Sequence, residues 1–489
     1  MRIVAMWFVL LLLALAAPAV ALAGGCGLAT PAFCETFEGG PASLDDRGRG
    51  NELSRTRFSA TRYAPSLSTG DGVTFWVWEA EFGMIPDEPP PCRGGVVGFL
   101  PAARDTLVCE PSTHINSRYL LTAVGSQNYG SNVYRIRQPF DFAGRSGRIV
   151  FDTDLTTNFL LGYMSIVISE DPSPTPTWDL NGRGPNPRNG LMLVFVSNNV
   201  EVYDVRDYAL TTFAGTATTI PVQKGRMCRV ELRLSTTQLE VLTSPPSDDG
   251  VNFAPLVSRR VVNFAQPLPY SRSYVHLIGH NHATWKYGIA FGGLPRPLRS
   301  WNLYWDNVGF DGPPIRGTRE YEIPDAGIPS TRTTTDEYPP GTPHTTVHNG
   351  HSLGYVIPNS ASTLSTPLTF SSVSLAHATR ARLVFNGYYQ GYGTDGIRLG
   401  TGRLRYQIND APIHVRAFTP GEVAMLDTPG QTGGYNHAIE IPLAELVNGD
   451  NTVRFSTLNI ESGYPNAVLN LDLVIDVEPD FLFADGFQE

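Results

Sequence analysis

The chain has 489 residues, with 36 basic against 46 acidic side chains and a net charge of −10. Lys224 and Lys286 are its only lysines, and the arginines form no dense basic stripe, which speaks against a nucleic-acid or anionic-membrane partner. A chain of this length exceeds what one hydrophobic core organises, so at least two domains are expected.

The N-terminus opens with Arg2, an apolar run over 3–17, Pro18 and the small-residue site Ala21-Leu22-Ala23. A positive start, a short apolar core and an A-x-A site predict a cleavable secretory signal at 1–23. The mature chain is then secreted, cell-surface or periplasmic, with no stable membrane insertion, since no later segment is long and apolar enough to span a bilayer. Cysteines in an exported chain point to disulfides, and Cys26–Cys34 and Cys92–Cys109 are the expected pairs because each closes a Gly/Pro-rich loop. Cys228 sits in a strand-like apolar run and is expected as a buried thiol. These spacings make no zinc pattern.

Strand signals dominate the chain from there to about residue 315. Apolar and alternating runs predict strands over 147–152, 163–169 and 274–279. The run 191–196 leads through Ser197-Asn198-Asn199 into 200–205, and 229–234 leads through Ser235-Thr236-Thr237 into 238–242. Both read as hairpins, with turn residues that tolerate left-handed backbone in the first. No sustained 3.6-residue period marks this region, so helices are expected to be few and short. Seven prolines between 312 and 346, with a Thr-rich run, predict a linker at 316–346. A second β domain is expected over 347–478, with strands at 383–385, 404–408, 437–441, 452–455 and 469–477, and then a tail at 479–489.

Two motifs lack the context their chemistry needs. Gly350-His351-Ser352-Leu353-Gly354 matches a hydrolase nucleophile elbow, but Pro358 stands where the helix after the elbow must grow. Gly391-Tyr392-Gly393-Thr394-Asp395-Gly396 matches a dinucleotide fingerprint, but a loop and not a helix comes after it.

Two bookends carry more information. Phe33-Cys34-Glu35-Thr36-Phe37-Glu38 opens the first domain, and Trp301-Asn302-Leu303-Tyr304-Trp305-Asp306-Asn307-Val308 closes it. This pair resembles the concanavalin A-like lectin/glucanase jelly rolls, whose first and last strands lie side by side. The resemblance implies a first domain over 24–315 that presents a sheet to carbohydrate. It also implies a structural calcium joining the two strands, for which Glu38 and Asp306 supply hard oxygens. The stretch from Ile441-Pro442-Leu443 through Asn448-Gly449-Asp450-Asn451 to Phe455 looks like the penultimate hairpin of galactose-binding-like jelly rolls. The expected fold is therefore all-β: a concanavalin A-like jelly-roll sandwich and then a smaller β-sandwich. The tail resembles a short terminal tag seen on exported bacterial proteins.

Site candidates come from sugar chemistry. Glu79 and Glu81 share one face of a strand at roughly 6 to 7 Å, a distance at which two carboxylates cleave glycosides. The plainer reading is a solvated face opposite Trp76, Trp78 and Phe82. His276, His280 and His282 fall on one side of a continuing strand, with Trp285 and Tyr287 beyond them. Such imidazoles serve as base or ligand contact, although they equally cap a strand end and bond its loop. Arg118, Gln127, Asn128, Tyr129 and Arg137 offer the planar hydrogen bonding and ring faces that sugars use. Carbohydrate binding leads. A polysaccharide lyase or glycosidase in the groove of the first domain, with His280, His282 and Tyr287 or Glu79 and Glu81 as catalytic groups, is the alternative. A structural adhesin is the third reading.

Overall fold

The computed structural model describes residues 25–36, 57–63, 73–78, 119–125, 130–153, 162–172, 188–196, 199–207, 209–212, 218–220, 226–281, 300–313, 315, 318–323, 355–389, 402–426, 433–460 and 466–478. The expected signal at 1–23, Cys92–Cys109, the two motifs at 350–354 and 391–396, and the tail lie outside these residues.

The fold is all-β, as expected, and consists of two antiparallel sandwiches. One sheet of the first sandwich runs Val257–Asn263, Gln238–Thr243, Cys228–Leu234, Gly147–Thr153, Ser300–Asp311, Tyr119–Gly125, Val73–Trp78, with Pro31–Glu35 also paired to Ser300–Asp311. Its partner sheet runs Ala209–Thr212, Asn199–Arg206, Asn189–Val196, Gly162–Ser169, Arg272–Asn281, Gly130–Ile136, Phe58–Tyr63. Strand alternation explains the core between them. In Cys228–Leu234, Cys228, Val230, Leu232 and Leu234 point inward, while Arg229, Glu231 and Arg233 do not join the core. Both expected hairpins form, with Val200 opposite Phe195 and Leu232 opposite Val241.

The bookends lie side by side. Phe33 stands opposite Phe310 in antiparallel register, and their rings stack at 5.4 Å. The Cys26–Cys34 disulfide forms beside them. Gly309 is required here, because a Cβ would meet Cys26 Sγ and the Phe33 carbonyl at 2.8 Å. The Trp305-Asp306-Asn307 motif has a packing role: Trp305 is wholly buried against Phe151, with ring centres 5.6 Å apart. A bulge between Asp306 and Gly309 interrupts pairing with Gly147–Thr153, and Asn307 supplies the positive φ of 47° there.

The second sandwich stacks Arg319–Glu322, Asn466–Val477, Ala378–Tyr389 and Gly433–Ile441, with Tyr355–Ile357 at Asn466–Val477, over a sheet of Leu368–Val373, Gly449–Leu458, Arg403–Ile408 and His414–Ala417. Two details differ from the expectation. Arg319–Glu322 lies inside the stretch expected as linker, yet it pairs with Asn466–Val477 and Ile323 enters the core. Its alternating side chains make a strand, and the Pro/Thr-rich part of the stretch begins only after it. The expected hairpin at 441–455 is a corner: after the one-turn Leu443–Glu445 helix the chain crosses from one sheet to the other. Asn451 fixes that corner by accepting from the Val447 amide at 2.8 Å and donating to the Val447 carbonyl at 2.8 Å.

Replacing both Cys26 and Cys34 with Ser is expected to lower unfolding free energy by about 2 kcal/mol, the loop-closure value for so short a loop. Urea titration of the two chains reads this difference directly.

Candidate functional site

The strand Arg272–Asn281 carries two of the histidines singled out in the sequence, His276 and His280. Val275 and Leu277 face the first core, so Tyr274, His276 and Ile278 belong to the opposite face. That face is covered. Tyr274 is 2% exposed, while His276 and Ile278 have no exposed surface. His276 Nδ1 lies 3.2 Å from the Val167 carbonyl, so that nitrogen carries the proton. Burial first, and then the Arg135 guanidinium, push its pKa down to about 3. The structure therefore encloses His276 as a neutral packing group. His280 pairs in register with Ser131 and Tyr163. His282, Trp285 and Tyr287 lie outside the described residues, as do Glu38, Glu79, Glu81, Arg118, Gln127, Asn128 and Tyr129. Arg137 donates to the Phe58 carbonyl at 3.0 Å and pairs with Glu320 at 3.2 Å.

Over Tyr274 the covering layer is the second sandwich. Arg382 donates to Asp476 at 2.8 Å and to the Tyr274 hydroxyl at 3.1 Å, reaching across from the second sandwich to the first. Arg135 pairs with Glu320 at 2.7 Å with both side chains almost fully buried. A third clamp uses the short helix Pro420–Leu426. Thr419 and Glu422 form a capping box, in which the Glu422 amide donates to Thr419 Oγ1 at 3.2 Å and the Thr419 amide to Glu422 Oε2 at 2.7 Å. Asp207 of the first sandwich then accepts from Thr419 Oγ1 and from the Gly421 amide, both at 2.8 Å. Gly421 lies so close to Asp207 that no Cβ fits.

Between the Arg382 and Asp207 clamps the sandwiches leave a cleft of about 560 Å³. The first sandwich contributes Glu170, Asp171, Arg188 and Asn189 from the end of one strand and the start of the next. Arg380, Tyr406, His414, Arg416 and Glu440 come from the second. His414 stacks on Tyr406 at 4.8 Å with the rings 17° apart, and its Nε2 meets both Glu445 oxygens at 2.9 Å. Glu422 is held at about 2: burial alone raises it, but His437 and Arg416 together outweigh that and keep it ionised. No residue of this cleft belonged to the sequence candidates. The capping box was a readable local signal, but the cleft itself joins segments over 200 residues apart.

A calcium at the bookends finds no fit in the described residues. Asp306 faces Asp152 in register, but both Asp152 oxygens are taken: Arg229 donates to them at 2.7 and 2.8 Å, and Asn307 adds a bond at 2.8 Å. The Asp306 carboxylate accepts from the Asn307 amide at 2.7 Å and lies in the field of Arg229. A guanidinium already supplies the positive charge there. Among the described residues, no three His, Cys, Asp or Glu side chains converge as a metal site.

Two outcomes are expected. Arg382→Leu, which leaves Asp476 and Tyr274 buried opposite an apolar group, is expected to cost about 3 kcal/mol or more, with part of the loss recovered in the Arg382→Leu/Asp476→Leu double variant. Calorimetry on the three proteins measures both effects. The depressed His276 pKa gives stability that is full above the ordinary histidine value and is lost as pH falls toward 3. Each pH unit below about 6 is expected to cost roughly 1.4 kcal/mol from this residue. His276→Gln is expected to flatten that acid slope in thermal melts between pH 7 and 5.

No family model matches the chain, and no curated protein matches it. Among solved structures it is similar to the carbohydrate-binding module CBM66 from Bacillus subtilis, at 8% identity over 39% of this chain and 86% of that one, with a TM-score of 0.24. It is also similar to the carbohydrate recognition domain of Emp47p (12% identity, 40% and 83% covered, TM-score 0.27). A third is the exoplasmic/lumenal domain of VIP36 in its Ca2+/Man3GlcNAc-bound form (12%, 41% and 82%, TM-score 0.28). Likeness at this level carries no weight on ligand or activity.

Proposed function

We propose that the protein is an exported carbohydrate-binding protein and that its glycan lies in the cleft between the two sandwiches. The observation that carries this reading is the lining. Planar hydrogen-bonding side chains (Arg188, Asn189, Arg380 and His414) converge on one volume of saccharide size, beside a stacked Tyr406–His414 pair. Sugar hydroxyls pair with such groups, and sugar C–H faces pack on rings. An adhesin meeting partners through flat sheets needs no cleft of this kind. Export rests on the signal-like segment at 1–23. Among the described residues no helix is long and apolar enough to cross a membrane.

The test is size-exclusion chromatography of the mature chain mixed with neutral and with acidic polysaccharides. Protein travelling with intact polymer is the expected result. Polymer shifted to shorter lengths makes the protein a lyase or glycosidase, and no effect on any polymer removes the carbohydrate reading. Arg380→Ala is expected to weaken binding about tenfold while leaving the melting temperature nearly unchanged, because its pair with Glu440 is solvent-exposed and worth under about 1 kcal/mol. Titration calorimetry and a thermal melt of that variant read the two halves of the statement.

A further inference from the structure

We infer that the cleft selects a neutral saccharide, and that the Asp171 carboxylate is the group that accepts hydrogen bonds from its hydroxyls. This rests on the reading of the cleft as a glycan site and adds the ligand's charge class and the recognising residue.

Charge balance within the cleft carries the inference. Each guanidinium that lines it already faces a carboxylate of the protein. Arg380 pairs with Glu440 at 2.9 Å, Arg416 with Glu422 at 2.9 Å, and Arg188 lies 3.8 Å from Asp207. Arg382, at the cleft's edge, is committed to Asp476 and the Tyr274 hydroxyl, and donates to the Glu170 carbonyl at 3.4 Å. The arginines are thus neutralised before any ligand arrives. What remains is acceptor. Glu170 receives Asn189 Nδ2 at 3.1 Å. Asp171 differs, since its Oδ2 is buried and accepts no hydrogen bond among the described residues. A carboxylate oxygen held out of water without a donor is costly, so the site is completed by a ligand that brings donors. Vicinal sugar hydroxyls do so. A uronate or sulfate brings a further negative charge against Glu170 and Asp171, while each lining guanidinium already lies beside a carboxylate of the protein.

Protonation obeys the same geometry. Burial, and then the adjacent Glu170, raise Asp171 to about 6, against the pull of Arg188, Arg382 and Arg380. His414 and Glu440 face the cleft from the second sandwich, so they are the groups whose titration must be separated from that of Asp171. The ionised carboxylate accepts two hydroxyl donors and the protonated one does not, so affinity falls as pH drops through this value.

The experiment is titration calorimetry of the full mature chain with one neutral, one uronate-bearing and one amine-bearing polysaccharide at pH 7.5 and pH 5, repeated with Asp171→Asn. The neutral polymer is expected to bind best, and about tenfold more weakly at pH 5 than at pH 7.5. Asp171→Asn is expected to lose at least about tenfold at pH 7.5 and to show a flat pH response, which assigns the titration to Asp171 and not to His414. Preference for the acidic or the amine-bearing polymer overturns the inference, as does a folded Asp171→Asn chain that binds like the parent, and in both cases the glycan reading stands. Absence of binding to every polymer overturns the glycan reading itself. If Asp171→Asn does not fold, the pH response of the unaltered chain decides, and a pH-independent affinity rejects the role of Asp171.

Discussion

Arg382 sits where two β-sandwiches meet, and the functional architecture depends on how its charge is held. A guanidinium on the outer face of a sheet is ordinarily solvated. Here the side chain is 3% exposed, and the Asp476 carboxylate, the Tyr274 hydroxyl and the face of the Tyr274 ring replace water around it. Burying an ion costs several kcal/mol even after relaxation, and one partner's Coulomb attraction alone does not repay this without good hydrogen-bond geometry. The two sandwiches are therefore registered to each other by a contact that tolerates little displacement. Sliding them would strand one cation, one anion and a phenol without partners.

That registration decides which surfaces remain for a ligand. The outer face of the Arg272–Asn281 sheet carries Val167, Met192, Val194 and Ile278, all nearly or wholly buried, together with His276. A domain read in isolation would offer this face to solvent. Enclosed as it is, it contributes packing. The Asp207 clamp sets the far side of that gap. Because Asp207 accepts from the first turn of Pro420–Leu426, it places a carboxylate at the positive end of the backbone amides. The cleft opens between these two fixed contacts, and charged side chains at its rim stand beside core residues such as Tyr406 and Ile439.

Much of the fold was legible because β-structure writes its period into sequence. Cys228–Leu234 alternates strictly, and Asn189–Val196 with Asn199–Arg206 are apolar runs joined by Ser-Asn-Asn. Both signals are local and both hairpins form. The pairing of Pro31–Glu35 with Ser300–Asp311 is distant in sequence, yet the two aromatic motifs announced it. The site was not legible, for a physical reason. Alternation tells which residues leave a strand's core face, but not whether that second face meets water or another layer. His276 read as one of a row of site histidines, yet it is wholly buried, and Tyr274 two residues before it is covered by Arg382 and Asp476 of the second sandwich. Likewise Asp171 and Asn189 approach His414 and Arg416 only through tertiary packing, and no window of sequence contains both halves. The Thr419–Glu422 capping box was readable in the sequence, but nothing there says that Asp207 completes it.

The near-absence of lysine gains a structural meaning from the buried ion pairs. Arg229 forks onto both oxygens of Asp152, Arg382 spans Asp476 and Tyr274, and Arg135 joins Glu320 beneath the face of Tyr274. Arg382 and Arg135 are almost fully buried between the sandwiches and Arg229 is largely buried on the outer face of the first, where a flexible ammonium would be desolvated and would tend to give up its proton. The guanidinium stays charged when buried, offers a planar fork that satisfies a carboxylate at two points, and lies flat on an aromatic ring. At the bookends this carries a further consequence. Glu38 and Asp306 are the expected calcium ligands; Glu38 lies outside the described residues, and Asp306 stands beside Asp152, which Arg229 already pairs with at 2.7 and 2.8 Å. The junction thus carries a cation that belongs to the protein, the Arg229 guanidinium on Asp152.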